Sequence, residues 1–209
     1  MCLITDRHRY DEPAEEVMLR RVGMAAKAGV QLVQVRERDM SDGALLRLVA
    51  RAVEVTHATA TRVLVNDRLD VALAAGAHGV HLRADSMPAH RVRAVVPAGF
   101  VIGRSVHSPE EAAMAAHEGG VDYLLFGTVY SSKSKPGRVP TGVAMLSEAV
   151  ASAHPVPVLA VGGVGLDGVG SVARSGCAGF AAIGLFAEGP GEEVDRTVTE
   201  AVRRWLERW

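Results

Sequence analysis

The chain has 209 residues, 48% of them hydrophobic, so it can bury a full core, and its length suits one barrel-type α/β domain spanning residues 1–209. Twenty-three basic residues against 24 acidic ones, with no basic run and no interleaving of basic and aromatic side chains, argue against nucleic acid as a partner. No apolar run reaches the length of a membrane span, CLITDRHRY lacks a signal-peptide core, and Cys2 and Cys177 are too few for a disulfide scaffold, so a cytoplasmic setting is expected.

Short apolar runs alternate with longer amphipathic segments. Leu3 to Thr5 reads as a strand, followed by a helix around Ala14 to Ala28 that stops at Gly29. A second strand, Leu32 to Arg36, ends in charge, and Ser41 can cap a helix running to about Ala58. The third strand, Arg62 to Val65, runs into Asn66 and Asp67 and a short helix, Arg68 to Ala75. Gly79 to Leu82 is the fourth, with a helix after Pro88. Val101 to Ser105 is the fifth, with a helix from Ser108 to Glu118. Tyr123 to Phe126 is the sixth and leads through a long polar loop to a helix over Val143 to Ala153. Val158 to Val161 and Gly179 to Ile183 are the seventh and eighth, each followed by a helix, Leu166 to Ser175 and Glu192 to Glu207.

Eight βα units are what a closed (β/α)8 TIM barrel needs, with a doubly wound open sheet as the alternative. In a barrel, Gln34, Arg36, Asn66, Asp67, His81 and Ser105 all reach the carboxyl-end mouth, as do the residues after strands six to eight. The chain has three lysines, Lys27, Lys133 and Lys135. Two of them stand beside Ser131, Ser132 and Ser134 after strand six, a composition that suits a phosphate or pyrophosphate as well as a plain solvated loop. Gly162 and Gly163 follow strand seven, and Ile183 and Gly184 follow strand eight. Their backbone N–H groups suit a phosphate, although tight turns also need glycine. Arg36 suits a carboxylate or pyrophosphate by its fork, or an ion pair with a neighbour such as Asp67; Asn66 and Asp67 could equally cap the helix after them. Arg20 with Arg21 reads as a solvated helix face, and Trp205 and Trp209 as packing against the barrel or a second subunit, so a homo-oligomer stays open.

The segments LITD, VQVRERD, VNDRLDVALAAGAHGVHL, IGRSVHSPEEA, DYLLFGTVY, PVLAVGGV and GFAAIGLF resemble, in order and spacing, the thiamine phosphate synthase and TenI superfamily. The resemblance covers nearly the whole chain and implies a (β/α)8 barrel with one of two activities. Synthases join a pyrimidine methyl pyrophosphate to a thiazole phosphate with Mg²⁺; the TenI branch isomerises a thiazole phosphate carboxylate to its aromatic tautomer without a metal. The runs 36–38, 103–108 and 124–127 look like the TenI branch, so the expectation is a metal-independent thiazole tautomerase. That branch's shuttle histidine falls on Thr128, leaving His81 and His107 as titrating substitutes, with Gln34, Arg36, Arg38, Asn66, Ser105 and Thr128 toward substrate.

The synthase is the alternative. Its lysine falls on Arg38, its second metal-binding aspartate on Ser86, and its threonine-x-threonine-lysine run on Ser132 to Lys135. Asp67 is a metal ligand in that reading alone, with Asp85 as a substitute partner. A regulator that binds thiazole or thiamine phosphate without turnover is a third reading.

Overall fold

The computed structural model describes residues 1–11, 13–132, 137, 139–187 and 191–207, with 191–193 described for their backbone only. The strands are β1 (Cys2–Ile4), β2 (Leu32–Val35), β3 (Arg62–Asn66), β4 (Gly79–Leu82), β5 (Val101–Val106), β6 (Tyr123–Gly127), β7 (Val158–Val161) and β8 (Gly179–Ala182). All neighbours pair parallel, and Cys2 opposite Ala181 with Leu3 opposite Ala182 joins β1 to β8, closing the barrel. The open-sheet alternative is thereby excluded.

Between the strands run α1 (Ala14–Lys27), α2 (Asp42–Thr56), α3 (Leu69–Ala74), α4 (Ala89–Arg93), α5 (Pro109–Glu118), α6 (Gly142–Ala153) and α7 (Val169–Arg174). After β8 come a one-turn α8 (Gly184–Ala187) and the long α9 (Gly191–Leu206). The two-residue period of each strand sorts its side chains. Leu64, Tyr123, Leu125 and Leu159 point into the barrel with Cys2 and Ile4, whereas Val63, Val65, Leu124 and Phe126 face the helices. Trp205 of α9 lies edge-on to Phe180 of β8 with ring centroids 5.5 Å apart, so it packs against the barrel.

Several local expectations shift. Ser41 occupies the N-cap of α2 with no side-chain bond, and neither Asn66 nor Asp67 caps α3, whose N-cap is Arg68. Asp67 instead takes φ 63°, turning the chain sharply out of β3. Ser108 caps α5, accepting from the Glu111 N–H at 3.2 Å, while Glu111 accepts from the His107 N–H at 2.7 Å. Arg21, expected on a solvated face, is buried.

Candidate active site

A cavity of about 500 Å³ opens at the carboxyl ends of the strands. β1 and β2 send Ile4 and Gln34 into it, with Arg36 and Arg38 from the segment just after β2; β3, β4 and β5 send Asn66, His81 and Ser105. Leu125, Val161 and Ile183 form its apolar floor and wall, while His107, Thr128, Ser132 and Gly162 come from the loops. The barrel therefore brings together most of the residues singled out in the sequence. Asp67 lies in an adjoining recess that shares Arg38, Asn66 and Arg83 with this cavity. Gly163, in the turn after β7, and Gly184, the first residue of α8, do not line it, and Lys133, Ser134 and Lys135 lie outside the described residues. Arg83 and the apolar Ile4, Leu125 and Val161 were not singled out as site residues; the inward period of their strands could have marked the last three.

Arg83 and Asp85 pair with each other at the mouth, whereas Arg36 and Arg38 bring positive charge to it without such a partner among the described residues. Burial, then the neighbouring Arg38, lowers the pKa of the Arg36 guanidinium, so both would gain from an anion between them. Among the described residues no carboxylate pairs with either side chain, and the expected Arg36–Asp67 ion pair does not form. Arg36 is held from behind, its backbone N–H donating to Thr5 Oγ1 at 2.9 Å. Gln34 is 2% exposed and its Nε2 has no hydrogen-bond partner among the described residues. A buried amide donor without a partner marks a place for an acceptor from the ligand.

The two histidines differ. His81 is 1% exposed, and its ring nitrogens are engaged by Tyr123 Oη and Ser105 Oγ, each at 2.9 Å. His107 Nδ1 lies 2.6 Å from the Gly127 carbonyl, which can only accept, so Nδ1 carries a hydrogen and donates it there.

The long loop after β6 is fastened at its base. Thr141 N–H donates to the Thr128 carbonyl at 2.8 Å and Gly142 N–H to Val129 at 3.0 Å, while Tyr130 N–H donates to the Gly162 carbonyl at 2.9 Å. This close approach explains the glycine pair. A Cβ on Gly162 would stand 2.5 Å from Thr128 Cγ2, and one on Gly163, at φ 64°, 2.3 Å from the Ser131 carbonyl oxygen. The N–H groups of Gly163, Val164 and Gly165 donate to no acceptor among the described residues, which leaves them open to an anion.

The metal question turns on Asp67. No group of three or more His, Cys, Asp or Glu side chains gathers among the described residues. Asp67 accepts from the Ser86 hydroxyl and lies 3.7 Å from Arg83, which also pairs with Asp85. One carboxylate with hydroxyl and amide oxygens nearby fits a Mg²⁺ that arrives on a phosphate ligand, because Mg²⁺ takes one or two carboxylates and completes its shell with substrate and water.

Residues 1–186 match the family described as thiamine monophosphate synthase, TMP-TENI. A thiamine-phosphate synthase of Anaeromyxobacter dehalogenans is 43% identical over 160 residues, covering 76% of this chain and 71% of the relative. A thiamine-phosphate synthase of Roseiflexus castenholzii is 34% identical over 192 residues, covering 91% and 82%. Among solved structures, a thiamine phosphate pyrophosphorylase from Pyrococcus furiosus superposes with a TM-score of 0.84 at 28% identity, covering 99% of this chain and 95% of that one. A 3-hexulose-6-phosphate synthase shares the fold alone, at a TM-score of 0.71 and 16% identity. The names of these relatives contradict the expected isomerase, and the shuttle role sought for His81 and His107 falls with it. With 186 matched residues and relatives aligned over most of their length, the chain belongs to the thiamine monophosphate synthase family.

Proposed function

We propose that the protein is a thiamine-phosphate synthase, a transferase that joins a hydroxymethylpyrimidine pyrophosphate to a thiazole phosphate and releases pyrophosphate. The observation that carries this reading is the Arg36 and Arg38 pair, which lines the mouth with no carboxylate partner among the described residues. In the reaction the bond between the pyrimidine methylene carbon and the pyrophosphate oxygen breaks, and its electron pair leaves with pyrophosphate. The thiazole nitrogen lone pair forms the new C–N bond. Negative charge grows on the leaving group, so the chain's task is to hold fixed positive charge and donors where that charge develops.

Arg36 and Arg38 supply the charge, and Ser105 a hydroxyl. Lys135, with Ser132 and Ser134, is assigned to the same anion from the sequence. Gln34 Nε2 donates to a polar atom of the pyrimidine, while Ile4, Leu125 and Val161 exclude water from the reacting carbon. The turn of Gly162 and Gly163, with Ile183 and Gly184 across from it, takes the thiazole phosphate. Asp67, with Ser86 and Asn66 beside it, would hold Mg²⁺ brought in by the pyrophosphate, and the ion when bound would offset charge on the leaving group. Mass spectrometry of the purified protein with both substrates and Mg²⁺ tests the reading. Thiamine phosphate should form, and should not form when either substrate is omitted; no product with all present would refute it.

A further inference from the structure

Inside the barrel, three polar side chains connect the interior to the mouth. Tyr123 begins β6 among Ile4, Leu64, Leu125 and Leu159. Its ring passes Gly103, its partner on β5, where a Cβ would stand 2.1 Å from Cζ. The phenol oxygen lies 2.9 Å from His81 Nδ1, and His81 Nε2 lies 2.9 Å from Ser105 Oγ. Tyr123 and His81 are buried, whereas Ser105 lines the cavity.

Hydrogen-bond accounting sets the direction of this chain. A phenol has one hydrogen to place, and His81 Nδ1 is the partner that the described residues provide for it. Burial, with Cys2 and Asp122 adding, holds the Tyr123 phenol well above its ordinary pKa, so the hydrogen stays on the oxygen. If Nδ1 carried a hydrogen, the phenolic hydrogen would be buried without an acceptor, which folded proteins avoid. Nδ1 therefore accepts, the imidazole hydrogen sits on Nε2, and Nε2 donates to Ser105 Oγ. The Ser105 hydrogen finds no acceptor among the described residues and is left for the cavity.

We propose that Tyr123 and His81 are positioning residues that hold Ser105 as a hydrogen-bond donor toward an anionic oxygen of the ligand in the mouth. With the opposite polarity, Ser105 would donate to His81 and present only lone pairs, which repel an anion. The proposal deepens the synthase reading and rests on it for the nature of the ligand, but not for the direction of the relay.

¹⁵N NMR of the ligand-free, histidine-labelled protein reads that direction. His81 should show a protonated Nε2 and an unprotonated Nδ1. Ser105→Ala should leave this tautomer in place, because the phenol sets it, while Tyr123→Phe should convert it to a mixture. A hydrogen on Nδ1 in the wild-type protein, or a tautomer that follows Ser105→Ala and ignores Tyr123→Phe, would overturn the relay. Calorimetry with magnesium pyrophosphate reads the donor, and Ser105→Ala should weaken binding about tenfold or more, as loss of a hydrogen bond to a charged group does. Equal affinity in the variant and the wild type would overturn the donor role. A wild-type protein that bound no pyrophosphate would instead fault the synthase reading, and the tautomer would still decide the relay.

Discussion

The Ser86 hydroxyl donates to the Asp67 carboxylate, tying the loop after β4 to the loop after β3 at the rim of the mouth. Arg83 stands 3.7 Å from the other carboxylate oxygen, so much of the negative charge a hard cation needs is already answered within the protein. Mg²⁺ alone should therefore bind weakly, and pyrophosphate should raise its apparent affinity by about tenfold or more, since phosphate oxygens complete the shell. Asp67→Asn should remove most of that gain. Calorimetric titrations with and without pyrophosphate check this, and equal Mg²⁺ affinity in both would contradict it.

The turn after β7 makes a second prediction. Gly163→Ala adds a Cβ 2.3 Å from the Ser131 carbonyl oxygen at a residue with φ 64°, forcing the start of the loop after β6 to move. The left-handed backbone alone costs roughly 1–2 kcal/mol, so the melting temperature should fall by about 2–8 °C for a chain of this size, with affinity for thiazole phosphate falling too. Gly165→Ala is the control, because nothing lies within 4 Å of its Cβ position. If the two variants melt alike, the close packing of the turn against the loop is not what requires glycine.

Much of this is legible in the sequence. Apolar runs ending in Arg36, Asn66, His81 and Ser105 placed those residues on strands whose carboxyl ends share one mouth, because a parallel barrel has only one such end. Other features were hidden because they depend on what lies across the barrel. Tyr123 reads as one apolar strand residue, and its bond to His81, 42 residues away, exists only because Gly103 leaves room between them. Asp67 reads as a helix cap until its left-handed backbone turns it toward Ser86. The activity was misjudged for a related reason. Short runs such as 124–127 sit on strand β6, where packing constrains sequence as strongly as chemistry does, so they discriminate poorly between branches.

Lys135 and Lys133 make a third prediction from sequence alone, since both lie outside the described residues. If Lys135 contacts the leaving pyrophosphate, a charge-assisted contact on the order of 1.5–3 kcal/mol is lost in Lys135→Ala, and kcat/KM should fall roughly 10- to 150-fold. Lys133→Ala should stay near wild type. Steady-state kinetics that place both variants near wild type would remove Lys135 from the site.

Arg7 bridges Glu37, whose side chain is 1% exposed, and Asp39, joining the loop after β1 to the loop that carries Arg36 and Arg38. Arg7→Ala removes the counter-ion of a buried carboxylate that keeps only the backbone N–H of residue 7 as a donor among the described residues, which costs roughly 3 kcal/mol, or about 6–12 °C in melting temperature for a chain of this size. Arg51→Ala, which breaks an exposed pair with Glu16, should cost less than about 1 kcal/mol. Hydrogen bonding to Arg7 holds the Asp39 carboxyl well below its usual range. A depressed carboxylate pKa gives stability that is present above the ordinary value of about 3.9 and is lost as pH falls toward the depressed one. That acid dependence should shrink in Arg7→Ala, and melting curves between neutral and acid pH would show whether it does.

The most direct measurement is ³¹P NMR of the enzyme with equimolar hydroxymethylpyrimidine pyrophosphate, thiazole phosphate and Mg²⁺. The account predicts that the paired pyrophosphate ester signals give way to the single line of free pyrophosphate, in step with the appearance of thiamine phosphate. Ester signals that persist, with thiazole phosphate unchanged at enzyme concentrations comparable to substrate, would contradict it.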